Sequence, residues 1–211
     1  YGYTPAQKVF AVNAATGQKL WQFDSGAPAR GNNRGVAYWS DGSQGRIFAG
    51  IREHVYSLDA ETGKPDPKWG DGGRIDFRAE LRGGAQNASG SLGHPPVIYK
   101  DLVIFAGRTG QTLPAAPAPV RAYDARTGKL RWQFNSIPQP GEFGHDTWPK
   151  DAWTWAAGAV SWPGMALDEQ RGIVYVPTSN LVNMFAGRDR PGDNLFGATL
   201  LALNAETGKR I

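Results

Sequence analysis

The sequence lacks cysteine altogether and has only 2 methionines and 3 histidines among 211 residues. The missing cysteines exclude disulfides and thiolate metal sites, but they do not identify a redox compartment. No run of Lys and Arg is longer than a pair, and acidic residues lie among the basic ones, although the formal net charge is +4. This charge pattern disfavours nucleic-acid binding.

Long apolar runs are absent too. We find no secretory leader and no stretch of about twenty apolar residues of the kind that crosses a membrane. The chain begins and stops inside repeats, so we interpret it as a piece of a longer protein, whose other segments leave membrane association open. Abundant instead are 28 glycines, 15 prolines and 8 tryptophans, which are typical of many short strands and turns.

One short unit recurs four times. Its core is Asp or Asn, then Ala-x-Thr-Gly, with a tryptophan four residues after the glycine. The copies are Ala11–Trp21, Ser57–Lys64, Ala122–Trp132 and Ala202–Ile211. In the second copy Trp69 arrives two residues late, after Pro65 and Pro67, and the last copy stops one residue before its tryptophan.

The unit predicts a tight β-hairpin. Its Asp or Asn can accept backbone N–H groups two residues on, and its glycine supplies the positive φ that closes the turn. A lone hairpin cannot bury a large indole, so neighbouring units must stack in an array or propeller. We therefore expect turns 13–17, 59–63, 124–128 and 204–208 on one side, with Trp21 and Trp132 buried against a neighbouring blade.

Alternating apolar residues predict the other strands. These are Lys8–Val12, Gly35–Trp39, Arg46–Ala49, His54–Leu58, Pro96–Tyr99, Leu102–Ala106, Val120–Tyr123, Gly164–Leu167, Ile173–Pro177 and Thr199–Leu203. We expect Lys64–Gly90 to be mostly loop, Thr112–Pro119 to be a mobile surface loop, and Phe134–Trp155 to be too broken for a core strand. Long loops on a rigid scaffold are where function usually lies.

The repeated unit resembles the tryptophan-docking motif of the pyrroloquinoline quinone (PQQ) dehydrogenases, which are eight-bladed β-propellers. Ile137–Asn180, with Pro-Gly-Glu-Phe-Gly and Asp-Thr-Trp-Pro, is most similar to the glucose, quinate and shikimate branch. The resemblance covers essentially the whole chain. It implies an all-β fold in which residues 1–211 form one partial propeller domain, with about half of the blades.

The resemblance also implies site residues. Trp162 would stack on the flat face of PQQ, Asn180 would bind the metal beside it, and Arg34 would hold a PQQ carboxylate. Thr109 and His94 would face the cofactor. Each residue also has an ordinary interpretation, namely blade packing for Trp162, a turn for Asn180 and Thr109, a surface arginine for Arg34 and a loop histidine for His94.

Three departures from the family pattern matter. Thr112 stands where the methanol-oxidising branch has a glutamate metal ligand, which puts the metal site in doubt. Pro28 and Ala29 replace the adjacent cysteines of that branch, so no disulfide ring can cover the quinone. Trp39 replaces a histidine that is frequent in the membrane glucose branch, so a substrate preference cannot be carried over.

Two functions remain open. The first is a periplasmic dehydrogenase that oxidises a sugar or polyol hydroxyl, with hydride passing to PQQ beside Ca²⁺ or Mg²⁺ and electrons passing on to a quinone or cytochrome. The resemblance places its catalytic Asp beyond Ile211, so we expect no catalytic residue and no turnover in these residues alone. The alternative is a non-catalytic periplasmic propeller that serves as a binding or assembly scaffold.

Overall fold

The computed structural model describes residues 1–27, 33–79, 81, 90–183 and 185–211. The strands are β1 (Gly2–Tyr3), β2 (Val9–Val12), β3 (Lys19–Phe23), β4 (Ala37–Ser40), β5 (Gly45–Ile51), β6 (His54–Asp59), β7 (Arg74–Asp76), β8 (Gly90–Ser91), β9 (Val97–Tyr99), β10 (Leu102–Ala106), β11 (Arg108–Thr109), β12 (Val120–Asp124), β13 (Leu130–Phe134), β14 (Ala166–Asp168), β15 (Ile173–Pro177) and β16 (Leu200–Asn204). Two 3₁₀ turns, His145–Thr147 and Ala152–Thr154, are the helical elements in these ranges.

The strands form four antiparallel sheets, which we number as blades. Blade 1 is β1–β2–β3, blade 2 is β4–β5–β6–β7, blade 3 has the order β9–β10–β12–β13, and blade 4 is β14–β15–β16. A separate two-stranded ribbon pairs β8 with β11. Four blades confirm the predicted all-β partial propeller with about half of eight blades.

Each blade has two functionally distinct ends. In blade 3, Leu102 pairs with Asp124 and Ala106 pairs with Val120, so the end of β12 and the start of β10 lie together. That end carries the repeated turns, and we call it the docking end. The start of the first strand and the end of the second strand lie at the opposite end. Long connections follow β10 and β15 there, and we call it the loop end.

The four repeated turns have the predicted geometry. In the turn at 124–128, the Asp124 carboxylate accepts the backbone N–H groups of Arg126 and Thr127 at 3.0 and 2.9 Å. Asn13, Asp59 and Asn204 accept the corresponding N–H groups in the other copies. The closing glycines, Gly17, Gly63, Gly128 and Gly208, have φ between 69° and 75°.

The tryptophans join neighbouring blades. Trp21 of blade 1 donates its indole N–H to the Ala60 carbonyl of blade 2 at 2.9 Å, and Trp132 of blade 3 donates to Ala205 of blade 4 at 3.1 Å. Both indoles are buried, as predicted. A Cβ on Gly63 would lie 2.4 Å from the Trp21 ring, so glycine is needed in this turn for space as well as for φ.

Trp69, the tryptophan of the second copy, donates to a carbonyl one residue earlier in the neighbouring turn than Trp21 and Trp132 do. Its indole donates to the carbonyl of Asp124 instead of Ala125, at 3.2 Å. Arg46 takes the Ala125 carbonyl at 2.7 Å and also pairs with Asp66 at 2.6 Å. The two additional residues before Trp69 therefore shift the docking contact and introduce a buried arginine into it.

Three apolar cores fill the spaces between blades. Along β5, Ile47, Ala49 and Ile51 face blade 1 while Phe48 faces blade 3, which is the period-two alternation of a strand. β10 divides in the same way between the neighbouring blades. Since each fully buried Ile or Phe side chain contributes about 1.5–3 kcal/mol, these cores hold the blades together.

The predicted strands agree with the structure within two residues at each end, but four short strands, β1, β7, β8 and β11, were missed. β7 lies in the segment predicted as mostly loop, β8 begins at its last residue, and β11 contains Thr109, for which a turn was one of the two interpretations. Two- and three-residue strands carry too little alternation to be recognised. The described part of the chain contains no helix with the length and apolar character that spanning a membrane requires.

The prediction of a mobile surface loop at Thr112–Pro119 is wrong. Ala115, Ala116 and Ala118 in that segment are buried, and Pro117 bridges to Gly158. The Pro/Ala composition suggested a flexible loop. The small alanine side chains instead allow this segment to pack closely against the neighbouring backbone. Phe134–Trp155 contains no strand after β13, as predicted, but its Trp148 and Ala152 help to form a separate small core.

Candidate functional site

A cavity of about 250 Å³ opens at the loop end, near the lower limit of typical small-molecule pockets. Three of the predicted site residues, Thr109, Trp162 and Asn180, line it. The rest of its wall is Arg108, Gly110, Gln111, Gly158, Val160, Ser179, Leu181 and Val182. Among these residues none is acidic.

Strand order explains why residues far apart in sequence meet here. Arg34, His94 and Trp162 each lie three or four residues before the first strand of blades 2, 3 and 4. Thr109 and Asn180 each lie three residues after the second strand of blades 3 and 4. In an antiparallel sheet the start of one strand and the end of the next share one end. Since β9 contacts both β4 and β14, the three first strands lie side by side.

The backbone that carries Trp162 is held by a short antiparallel pairing. Ser179 donates its N–H to the Val160 carbonyl, and Val182 donates to Ala157, both at 2.9 Å. Gly158 has φ +106°, and a Cβ there would lie 2.5 Å from the Leu181 Cα. This close pairing positions Asn180 on one wall of the cavity and Trp162 on another.

The Trp162 indole is 45% exposed, and its N–H has no acceptor within the described ranges. Two guanidinium groups lie over its ring, with the Cζ of Arg34 at 5.1 Å and the Cζ of Arg108 at 4.2 Å from the centroid. Neither arginine pairs with a carboxylate in the part of the chain that the structure describes. The result is an open aromatic surface with two guanidinium groups over it whose charge no described carboxylate balances.

His94 lies behind this surface. Its Nε2 donates to the Trp162 carbonyl at 2.5 Å, so the imidazole holds the tryptophan backbone. Its Nδ1 is buried and has no hydrogen-bond partner among the described residues. Burial lowers the pKa of His94, and the charges of Arg34 and Arg108 lower it further.

Thr109 and Asn180 differ in how free their side chains are. The Thr109 hydroxyl already donates to the Gly110 carbonyl at 2.8 Å, so it must rotate before it can donate to a ligand. The Asn180 side chain is exposed and makes no hydrogen bond within the described residues. An amide in this state is available as an oxygen ligand, but a role in metal binding stays a prediction.

Arg108 was not predicted. Only its neighbour Thr109 was considered from the sequence, as a residue that faces the cofactor or lies in a turn. Burial lowers the pKa of Arg108, and repulsion from Arg34 lowers it further. Arg108 follows the second strand of its blade, as Thr109 and Asn180 do. That position in the chain is a signal that could have identified it.

The three departures noted in the sequence have different outcomes. Trp39 is 3% exposed, and the guanidinium groups of Arg46 and Arg126 both lie over its ring, so it serves blade packing at the docking end. Thr112 is absent from the cavity wall. Pro28 and Ala29 lie outside the described residues.

The residues present fit a planar polyanion such as PQQ. An exposed indole offers a stacking surface, and among the described residues two guanidinium groups lack counter-charges and the buried Nδ1 of His94 lacks a partner. They do not hold a divalent cation by themselves. Such an ion needs about six oxygen ligands, several of them carboxylates, and the described residues contain no group of three acidic or histidine side chains that could bind one.

Comparisons with known proteins agree with this arrangement. The family model for the β-propeller domain of PQQ glucose, ethanol and alcohol dehydrogenases matches residues 1–211. The dehydrogenase subunit of alcohol dehydrogenase (quinone) from Gluconacetobacter polyoxogenes is 33% identical over 100% of this chain, and the quinate/shikimate dehydrogenase (quinone) of Acinetobacter baylyi is 26% identical over 98%.

Among solved structures, a quinohemoprotein alcohol dehydrogenase from Pseudomonas putida HK5 superposes with a TM-score of 0.78 at 26% identity, covering 99% of this chain and 31% of that one. The chain spans 30% and 29% of the length of the Gluconacetobacter and Acinetobacter relatives. A segment of this length carries part of a propeller.

Proposed function

The chain belongs to the family of PQQ-dependent glucose, ethanol and alcohol dehydrogenases, and from that premise we propose that it supplies part of the cofactor site of an enzyme that oxidises a sugar or polyol hydroxyl. The family takes PQQ together with a metal ion. When bound, PQQ would accept the hydride of the alcohol, which carries both electrons of the oxidation, while the hydroxyl proton goes to a base.

The observation that carries the proposal is the exposed Trp162 ring with two arginines over it that have no acidic partner in the described part of the chain. In a propeller a tryptophan normally packs between blades, as Trp132 does. An indole left half open at the mouth of a cavity stabilises the fold little, whereas it binds a flat aromatic ligand well.

Each predicted residue has a defined task in this proposal. Trp162 forms the floor under the quinone, Arg34 holds a carboxylate, and Thr109 contributes its hydroxyl after rotation. His94 fixes the backbone of Trp162, and Asn180 offers one amide oxygen to a Ca²⁺ or Mg²⁺ ion whose other ligands lie elsewhere.

No acidic residue lines the described cavity, so the base that removes the hydroxyl proton is not among its walls. We place the enzyme in the periplasm, with a quinone or cytochrome as electron acceptor. The names of the relatives indicate alcohols and quinate or shikimate as substrates of those proteins. The sugar or polyol preference proposed here is therefore the part most open to test.

A non-catalytic scaffold is the alternative, and the same observation weighs against it. A scaffold requires the docked tryptophans and the inter-blade cores. Neither feature requires Arg34 and Arg108 over an exposed indole. The two guanidinium groups repel each other there, and no described carboxylate offsets that repulsion.

PQQ binding by the protein at its natural length tests the proposal. Equilibrium dialysis with PQQ and Ca²⁺ should give binding to the wild type, and Trp162→Ala should weaken it about tenfold, since stacking of a flat ring on an aromatic side chain is worth about 1–3 kcal/mol. Trp153→Ala, a half-buried tryptophan on a different cavity, is the matched control. Wild-type protein that binds no PQQ would refute the proposed function.

Dye reduction with a panel of alcohols then tests the substrate class. We expect glucose and other polyols to be oxidised in the presence of PQQ, and the Trp162→Ala variant to be slow with all of them. Turnover with simple alcohols only would overturn the sugar or polyol assignment and leave the cofactor site intact.

A further inference from the structure

Arg108 lies closer to the Trp162 ring than Arg34 does, at 4.2 Å against 5.1 Å, and it lines the cavity. Its backbone is fixed in the ribbon, where Arg108 pairs with Ser91. No carboxylate or hydrogen-bond acceptor for it lies in the described ranges. A buried or half-buried guanidinium ordinarily has such a partner, because the unpaired charge is costly to desolvate.

The space for this side chain is left by a glycine. A Cβ on Gly93 would lie 2.7 Å from both Cδ and Nη1 of Arg108. Gly93 does not have a positive φ, so its backbone conformation admits other residues, and a Cβ there would instead make the Arg108 side chain shift. The chain thus places a positive charge at the cavity, and no described residue pairs with that charge.

We infer that Arg108 is a second anion-binding residue of the cofactor site, which pairs with a carboxylate of PQQ while Gly93 leaves room for its side chain. PQQ carries three carboxylates, and Arg34 can hold one of them with its planar fork. A second fork takes another, and the two negative charges remove the repulsion between the two guanidinium groups. The inference rests on the proposed function.

Binding measurements with PQQ and its trimethyl ester test this role, on the protein at its natural length. The ester keeps the flat ring system and removes the charges that Arg108 would pair with. We expect Arg108→Gln to weaken PQQ binding about tenfold or more and to leave ester binding within about twofold of the wild type. Arg108→Lys should be intermediate, because it keeps the charge but loses the fork.

Two further variants distinguish the placement of the Arg108 side chain from the overall positive charge of the protein. Gly93→Ala keeps the charge of Arg108 and displaces the side chain, so it should weaken PQQ binding and spare the ester. Arg126→Gln removes another guanidinium stacked on a tryptophan, Trp39 at the docking end, and should leave PQQ binding unchanged. Thermal unfolding of each variant confirms that it is folded.

The outcomes are distinguishable. If Arg108→Gln binds PQQ as the wild type does, while Trp162→Ala still weakens binding, the inference is wrong and the proposed function stands. Equal losses for PQQ and its ester would also overturn it, because Arg108 would then act by packing on the ring. If the wild type binds neither compound, the proposed function and the inference fail together.

Discussion

Trp132 and Trp162 are thirty positions apart in the chain and lie at opposite ends of the propeller. Trp132 is 8% exposed, rests on Gly208 and donates its indole N–H to the Ala205 carbonyl. Trp162 is 45% exposed, donates to nothing in the described ranges and lies under two arginines. One indole is satisfied by the fold, and the other is left for a ligand.

The difference follows from what each end of a blade repeats. At the docking end every blade presents the same Asp or Asn, Thr and Gly, so each indole meets a preformed acceptor and a glycine surface. At the loop end the connections differ from blade to blade. Residues that occur once, such as Trp162 and Arg108, therefore come together there without the constraint of the repeat.

The largest expected effect is on stability at the docking end. Trp132→Ala removes a buried indole from the core between blades 3 and 4 and leaves the Ala205 carbonyl without its donor. We expect the free energy of unfolding to fall by about 3–5 kcal/mol, measured by chemical denaturation. A loss below about 1 kcal/mol would remove the basis of the comparison.

The glycine surface is tested by a matched pair. Gly63→Ala and Gly72→Ala each introduce a Cβ at positive φ, with angles of 71° and 60°. Only at Gly63 does the new atom meet a neighbour, the Trp21 ring, whereas nothing lies within 4 Å of Gly72. We expect about 1 kcal/mol of destabilisation at Gly72 from the backbone strain and about 1–3 kcal/mol more at Gly63. Equal losses would show that the indole does not need the glycine.

His94 makes the loop end sensitive to pH. Burial lowers its pKa in the folded state below the ordinary value near 6.5, so its stabilising contribution is complete above about pH 6.5. That contribution is lost as the pH falls through the folded-state pKa, because the unfolded chain then binds the proton more tightly.

The measurement is the difference in unfolding free energy between wild type and His94→Gln from pH 8 to pH 5. His54, whose pKa burial also lowers, is present in both proteins and cancels. The wild-type advantage should shrink toward acid. A difference that is constant with pH would mean that His94 contributes by packing and not by staying neutral.

The smallest expected effect is at Trp162 itself. Because the ring is half exposed and its N–H has no acceptor in the described structure, Trp162→Ala should change the free energy of unfolding by only about 0.5 kcal/mol. The same denaturation experiment measures it beside Trp132→Ala. Similar losses for the two variants would make Trp162 a packing residue and undermine the cofactor assignment.

Much of the scaffold could be predicted from the sequence. The repeated turn, its φ-positive glycine and the burial of Trp21 and Trp132 follow from short-range chemistry that each copy contains within eleven residues. The predictions failed where local pattern misleads, as at Thr112–Pro119. There Ala115 packs against Ala157 and Val182, which lie about forty and sixty-five residues away, and Ala116 packs against Leu81.

The site could be predicted only in part. Trp162, Asn180, Arg34, Thr109 and His94 were named from a family resemblance, and the structure brings their side chains to one cavity or to its supporting residues. Arg108 was missed, because an arginine between Gly107 and Thr109 looks like an ordinary turn residue until the ribbon with β8 directs it to the Trp162 ring.

By itself the sequence determined the number of blades, their docking turns and the chemistry of the linking tryptophans, because a repeat of local turns and alternating strands leaves little choice. Only the tertiary structure decided which indole stays open and which cations lie over it. Those properties depend on strand ends from three different blades meeting at one end, and on the space that Gly93 and Gly158 leave there.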